Sequence, residues 1–244
     1  MIRLNGIYQN LLINSGVKLF NNFATFNNQN TIGKAIESIV NQTYKNIELL
    51  IIDDCSNDET FKIISNYSAK HENIKIFQNN TNVGLTRSLN ILIKKASGEF
   101  IARQDSDDIS VRERIEYQVN CIISNELDFC TSRALNMESG KPFQRLSYYF
   151  PRKLVFRYKN PFIHGTLLIK KSVIENVGGY DEGFYYAQDY KLFHDLMKSG
   201  YKFKNLKQIL YHSNTINNIS SNKKDLQSYY AYCVKSNTVP DGRK

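Results

Sequence analysis

The chain has 244 residues, of which 41% are hydrophobic and 23% are charged. Such a chain can bury one sizeable core, which excludes a disordered tail and a fibrous repeat. No run approaches the roughly 18–20 apolar residues of a membrane-spanning helix. The net charge of +9 is compatible with anionic membranes, nucleic acid or phosphorylated substrates, although we expect a solvated basic surface that does not bind nucleic acid. The four cysteines are scattered and no secretory signal opens the chain, so we expect a cytoplasmic protein.

In chain order, the spacing of apolar residues alternates between helical and strand-like periods. It predicts helices over residues 31–42, 58–69, 85–96, 112–124, 172–176 and 188–198. Strands are predicted over residues 47–52, 74–77, 99–103, 128–134 and 164–170. Residues 138–161 carry prolines and aromatics and are interpreted as an excursion over a binding face. The alternation predicts an α/β fold with a mostly parallel central sheet covered by helices on both faces.

Two carboxylates, Asp53 and Asp54, end a predicted buried strand. Ligands of open α/β sheets bind outside the carboxyl ends of the strands, so the position suggests a site. Two other interpretations stay open at this point. One is that these residues, with Ser56 and Asp58, cap the next helix; the other is an acidic phosphate-accepting pocket like that of a receiver domain.

A second acidic group, Asp105-Ser106-Asp107-Asp108, follows another predicted strand. Three carboxylates so close together repel one another unless a cation or solvent neutralises them, and their hard oxygens suit Mg²⁺ or Mn²⁺. An Asp-x-Asp pattern alone is weak evidence, because exposed loops are rich in acidic residues. Two acidic strand ends in one sheet are stronger evidence than either alone.

Five segments together resemble glycosyltransferase family 2, the inverting nucleotide-sugar transferases with the GT-A fold. They are AIESIVNQTYKNIELLIIDDCSNDET, NNTNVGLTRSLN, ASGEFIARQDSDDIS, NPFIHGTLLIKKSVIENVGGYDE and AQDYKLF, in the family's order over residues 24–211. The resemblance implies a metal-dependent, hexosyltransferase-type enzyme with a nucleotide-diphosphate sugar donor, UDP-linked by expectation. It also implies a divalent ion, Mn²⁺ or Mg²⁺, and a saccharide or lipid-linked saccharide acceptor.

Position by position, the resemblance implies roles for eight residues. Asp189 matches the catalytic base, and Asp105 and Asp107 match the metal-binding Asp-x-Asp motif. Asp54 matches the carboxylate that reads the nucleotide base. The remaining expected donor contacts are Thr25, Phe26, Asp53 and Ser106, with Asp105 shared between metal and donor. Judged without the resemblance, Asp189 is an ordinary acidic residue at a helix N-terminus.

The expected organisation is an atypical N-terminal segment 1–23, a GT-A domain 24–212 and a polar basic tail 213–244. The opening departs from the family, because Asn21 and Asn22 stand in the first strand and Ala24 replaces a proline. This leaves open an inactive family member that only binds nucleotide. For an active enzyme, the resemblance implies bacterial surface polysaccharide or lipopolysaccharide synthesis, at the inner face of the membrane where the basic excess meets anionic lipid.

Overall fold

A computed structural model describes residues 19–143, 149–215 and 223–242. The strands are β1 (Leu19–Thr25), β2 (Ile47–Asp53), β3 (Ile74–Gln78), β4 (Phe100–Arg103), β5 (Ile109–Ser110), β6 (Phe129–Asn136), β7 (Leu168–Lys170) and β8 (Phe203–Ser213). The helices are α1 (Ile32–Val40), α2 (Thr60–Lys70), α3 (Leu85–Lys95), α4 (Arg114–Ser124), α5 (Arg152–Phe156), α6 (Lys171–Asn176), α7 (Gln188–Lys198) and α8 (Lys224–Ser236).

The strands form one sheet in the order β3-β2-β1-β4-β7-β6-β8-β5. Strands β3, β2, β1 and β4 are parallel to one another, whereas β7 runs antiparallel to β4 and β6. Strand β2 is buried along its whole length, with alternate residues facing the two sides of the sheet. The predicted α/β class is confirmed.

Helices cover both faces of the sheet. Leu49 and Ile51 of β2 pack on one side against residues of α1, α2 and α4. Leu50 and Ile52 pack on the other side against residues of α3, α6, α7 and α8. The sheet is therefore the central layer of a three-layer domain.

Strand β1 lies at the centre of the parallel half although its sequence is polar. It pairs with both β2 and β4, and Thr25 stands level with Asp53. Asn21 is fully buried and its amide has no hydrogen-bond partner. The segment predicted as atypical, 1–23, thus contains the start of a central strand, while residues 1–18 lie outside the described part.

Several regions differ from the predicted elements, and strand β8 was not predicted at all. The strand expected over 164–170 is a 3₁₀ turn, His164–Thr166, followed by the short strand β7. The turn presses Gly165 against the Tyr211 ring, which fills the space that a Cβ atom would need. The region predicted as a polar tail, 213–244, contains α8, whose buried Tyr230, Cys233 and Val234 join the core.

Candidate functional site

A cleft of about 1330 Å³ opens at the carboxyl edge of β1, β2 and β4. Because these strands are parallel, the loops that follow them meet at this one edge. The cleft is also lined by the start of α7, the segment 158–160 and α8. Of the predicted site residues, Thr25, Phe26, Asp54, Asp105, Ser106, Asp107 and Asp189 line the cleft.

Asp54 supports the loop that leads into α3. Its Oδ1 atom accepts hydrogen bonds from Asn79 Nδ2 (2.7 Å) and the backbone N of Val83 (2.9 Å). Its Oδ2 atom accepts one from the backbone N of Gly84 at 2.8 Å. Both carboxylate oxygens are thus already engaged, and the predicted contact with a nucleotide base would use their remaining lone pairs.

Asp53 does not line the cleft. It is fully buried and accepts hydrogen bonds from Gln78 Nε2 (3.1 Å) and from the backbone N of Ser56 (3.1 Å). Asp58, not Asp53, accepts a hydrogen bond at the start of α2, from the backbone N of Thr60 at 2.9 Å. Asp53 therefore supports the turn after β2 in this structure.

Asn28, which the sequence analysis did not single out, connects two of the predicted donor contacts. Its Nδ2 atom donates to Ser106 Oγ at 2.9 Å and to Thr25 Oγ1 at 3.2 Å. The loops after β1 and β4 are thereby joined across the floor of the cleft. Phe26, in the first of these loops, is 42% exposed, so its ring is available to a ligand.

Asp105 is fixed by buried side chains. Arg103 Nη2 donates to Asp105 Oδ1 at 2.5 Å, and the backbone N of Asp105 donates to the Tyr211 hydroxyl at 3.0 Å. Arg114 is itself buried, donates to the carbonyl of Arg103 at 2.7 Å and lies 4.9 Å from the centre of the Tyr211 ring. The acidic loop therefore packs on a cluster of buried side chains that are joined by hydrogen bonds.

The other two carboxylates of this loop resist ionisation. Burial and the charge of Asp105 raise the pKa of Asp107 to about 6. Burial, Asp105 and Asp107 raise the pKa of Asp108 to about 8, although the backbone N of Asn214 donates to it at 2.6 Å. Ionising all three carboxylates would therefore place more negative charge in the loop than its surroundings balance.

A divalent cation fits these residues in part. Asp105 and Asp107 both present hard oxygens to the cleft, and a cation there would relieve their mutual repulsion. Within the described ranges, no three acidic, histidine or cysteine side chains converge as ligands. The chain would therefore supply two carboxylates at most, with the other ligands coming from substrate phosphates and water, as Mg²⁺ commonly allows.

Asp189 lines the cleft from the N-terminus of α7. Ala187, just before the helix, adopts a left-handed backbone with φ 54°, which turns the chain into α7 beside the cleft. Asn160 Nδ2 donates to Asp189 Oδ2 at 2.7 Å. Burial raises the pKa of Asp189, while hydrogen bonds from the Tyr190 backbone and Asn160 oppose that rise. An oriented, poorly solvated carboxylate of this kind can accept a proton.

His164 does not compete with Asp189 as a base. Its Nε2 atom lies 2.6 Å from the Tyr180 hydroxyl, and burial together with Arg103 lowers its pKa to about 3. The neutral imidazole therefore serves as a hydrogen-bonding group beside the cleft.

Asn160 and the cleft-facing residues of α8 were also missed at the sequence level. Asn160 begins the segment NPFIHGT, and its position before a proline is the only sequence feature that could have singled it out. Helix α8 carries apolar residues at helical spacing, Tyr230, Cys233 and Val234, which could have predicted it. Its cleft-lining residues are Lys224, Gln227, Ser228, Ala231 and Lys235.

Residues 23–178 match the profile of Glycosyl transferase family 2. The chain belongs to glycosyltransferase family 2. It is 33% identical over 204 residues to the putative glycosyltransferase EpsE of Bacillus subtilis, covering 82% of this chain and 73% of EpsE. It is 34% identical over 205 residues to the O-antigen biosynthesis glycosyltransferase WbnJ of Escherichia coli, covering 80% and 78%.

A third relative has a donor and an acceptor in its name. This is the UDP-Glc:alpha-D-GlcNAc-diphosphoundecaprenol beta-1,3-glucosyltransferase WfaP of Escherichia coli, 31% identical over 214 residues, covering 82% of this chain and 78% of WfaP.

Solved structures agree with the fold of this family 2 chain. Staphylococcus aureus TarS 1-349 in complex with UDP-GlcNAc superposes with a TM-score of 0.73 at 20% identity, covering 84% of this chain and 61% of TarS. The Pyrobaculum calidifontis mannosyltransferase PcManGT, in complex with GDP-Man and Mn²⁺, gives 0.72 at 17% identity, covering 93% and 66%. The expected GT-A fold is confirmed.

Proposed function

We propose that this chain transfers one sugar from a UDP-linked donor to a saccharide acceptor, with inversion at the anomeric carbon. The observation that carries the proposal is that Asp189 lines the same cleft as the strand-end carboxylates Asp54, Asp105 and Asp107. A cleft of about 1330 Å³ that holds both a candidate base and the proposed donor-binding residues has room for two substrates. The complexes of TarS with UDP-GlcNAc and of PcManGT with GDP-Man support a nucleotide-sugar donor.

In this proposal, Asp189 accepts the proton of the attacking acceptor hydroxyl. The hydroxyl oxygen forms a bond to the anomeric carbon as the bond from that carbon to the diphosphate oxygen breaks, and the diphosphate leaves with the electron pair. Attack opposite the leaving group inverts the anomeric centre, so one carboxylate suffices and no covalent intermediate is needed. Asn160 keeps the Asp189 carboxylate in one orientation.

On the donor side, Thr25, Phe26, Asp54 and Ser106 bind the nucleotide. The exposed ring of Phe26 offers a face for base stacking, and Asn28 fixes the distance between the loops that carry Thr25 and Ser106. Asp105 and Asp107 would hold Mn²⁺ or Mg²⁺, which stabilises the negative charge of the departing diphosphate when it is bound.

The proposed acceptor is a saccharide or lipid-linked saccharide of bacterial surface polysaccharide or lipopolysaccharide synthesis. The names of WbnJ and WfaP support this setting. We also propose that the enzyme acts at the inner face of the membrane, in peripheral contact with anionic lipid. In the described part of the chain, no helix has both the length and the apolar character to cross a bilayer.

A panel of nucleotide sugars tests the proposal and separates it from an inactive nucleotide-binding protein. The purified chain is incubated with each donor in Mn²⁺ or in EDTA, and donor hydrolysis and melting temperature are measured. We expect one UDP-sugar to be hydrolysed slowly in Mn²⁺ and to raise the melting temperature. Stabilisation without hydrolysis or transfer favours the inactive alternative, and no response to any donor contradicts both.

A further inference from the structure

An exposed aromatic and basic surface lies beside the cleft, on and around α5. Four of its large side chains are exposed: Tyr149 by 79%, Phe150 by 57%, Leu154 by 47% and Tyr158 by 72%. Arg157 and Lys159 are exposed between and beside them. Contiguous apolar side chains at the surface of a folded domain commonly mark a contact with a partner or a membrane.

The local backbone explains why these side chains point outward. Val155 and Phe156 are buried, which fixes the inner face of α5. The helical turn continues past α5, since the backbone N atoms of Tyr158 and Lys159 both donate to the carbonyl of Val155 at 3.0 Å. Leu154 and Tyr158 are one turn apart and therefore share the opposite face.

This surface is connected to the proposed catalytic base through two contacts. The Phe156 ring packs edge-on against Tyr190 at 4.9 Å, and the Tyr190 hydroxyl donates to the carbonyl of Phe156 at 2.7 Å. Directly after Lys159, Asn160 donates to Asp189. Tyr158 and Lys159 also line the cleft, so the surface and the cleft mouth are continuous.

We propose that Tyr149, Phe150, Leu154, Arg157, Tyr158 and Lys159 dock the enzyme onto an anionic lipid bilayer. Tyrosine suits the headgroup region, where its apolar ring and its hydroxyl are both satisfied, and phenylalanine and leucine can insert at the boundary of the acyl chains. Arg157 and Lys159 form no ion pair with any described residue, so their charges remain available to anionic lipid. Absence of flotation with anionic vesicles would favour a protein partner of acidic character instead.

Docking in this orientation places the cleft mouth at the bilayer surface. An acceptor anchored in the lipid would then present its sugar to Asp189 without leaving the membrane. The presentation of an acceptor to Asp189 rests on the proposed function. The docking itself is independent of catalysis and is measured without an acceptor.

Vesicle flotation tests the docking surface. The full chain is mixed with vesicles of phosphatidylglycerol and phosphatidylethanolamine, or of phosphatidylcholine alone, at low and high salt. The variants are Phe150→Ser/Leu154→Ser and Arg157→Gln, none of which alters a cleft-lining residue. The matched controls, Ile123→Ser on α4 and Lys70→Gln on α2, change exposed residues whose helices pack on the opposite face of the sheet.

We expect the wild type and both controls to float with anionic vesicles at low salt and weakly with phosphatidylcholine. The Phe150→Ser/Leu154→Ser variant should lower the partition coefficient by about tenfold or more, and Arg157→Gln should weaken flotation at low salt and so decrease its dependence on salt. Donor hydrolysis in solution should be unchanged in both, which separates lost docking from lost function. Absence of wild-type flotation at low salt, or equal flotation of wild type and the double variant, would overturn the proposal. So would loss of flotation on replacing Lys202, Lys204 and Lys207, which would move docking to the β8 region.

Discussion

Asn160 Nδ2 lies 2.7 Å from Asp189 Oδ2, although the two residues come from different elements on the wall of the cleft. The contact links the segment after α5 to the first turn of α7. It leaves the carboxylate oriented but poorly solvated, so the pKa of Asp189 is raised by burial and partly restored by the hydrogen bond. We therefore expect Asn160 to lower the pKa of Asp189 without taking part in the proton transfer.

Replacing Asn160 with alanine should shift the pH dependence of transfer. Asp189 accepts a proton only when ionised, so its raised pKa places the acidic limb of kcat/KM above the range of an ordinary aspartate. Loss of the Asn160 hydrogen bond favours the protonated form further, and the limb should move to higher pH. Measured profiles of wild type and Asn160→Ala check this, with Asn125→Ala, an exposed residue directly after α4, as the control. Superimposable acidic limbs in all three would remove Asn160 from its assigned role.

Replacing Asp107 with asparagine should weaken the metal dependence of donor binding. Diphosphate and the acidic loop repel each other without a cation, so UDP should bind the wild type more tightly in Mn²⁺ than in EDTA. The Asp107→Asn variant should lose most of that difference. Its melting temperature at neutral pH should not fall, because the amide removes a charge that burial disfavours. Titration calorimetry measures both affinities, with the exposed Glu72→Gln as charge control; equal wild-type affinity with and without metal contradicts the assignment.

The acidic strand ends were predictable because their signals are local. A continuous apolar run followed by two aspartates predicts a buried strand with polar groups at its end, and β2 and Asp54 fit that pattern. The partners of those carboxylates were not predictable. Which aspartate faces the cleft depends on Gln78 and Ser56 reaching Asp53, contacts fixed only when the strands have assembled.

The surface around α5 shows a different limit of sequence interpretation. Residues 138–161 lack a sustained apolar period, so the sequence predicts an excursion over a binding face and no helix there. The five-residue helix α5 is too short to produce a clear period, and its inner face is set by contact with Tyr190 of α7. Tertiary packing, not local propensity, decides which of its side chains are exposed.

Replacing Asn21 with valine should stabilise the fold. Asn21 is buried in the central strand β1, and its register neighbours Leu49 and Ala102 belong to the apolar core on that face. An unpartnered buried amide costs about 1–3 kcal/mol, and valine suits a buried strand. Thermal unfolding should show a rise of a few degrees, at about 2–4 °C per kcal/mol for a domain of this size. Asn21→Asp should lower the melting temperature; a lower value for Asn21→Val would reveal a polar partner for this amide.

The central claim is that Asp189 is the general base, and turnover of Asp189→Asn at saturating donor tests it most directly. Asparagine preserves the shape and the contact with Asn160 but cannot accept the proton at neutral pH. Because burial raises the pKa of Asp189, its ionisation lowers the free energy of unfolding as the pH rises from the pKa in the unfolded chain through the pKa in the folded chain. The variant should therefore be at least as stable as wild type at neutral pH. The account predicts a fall in transfer of about 10²–10⁴-fold with donor affinity unchanged. Near-wild-type turnover, or a defect confined to donor binding, would contradict it and make Asp181 and Glu182 the next candidates.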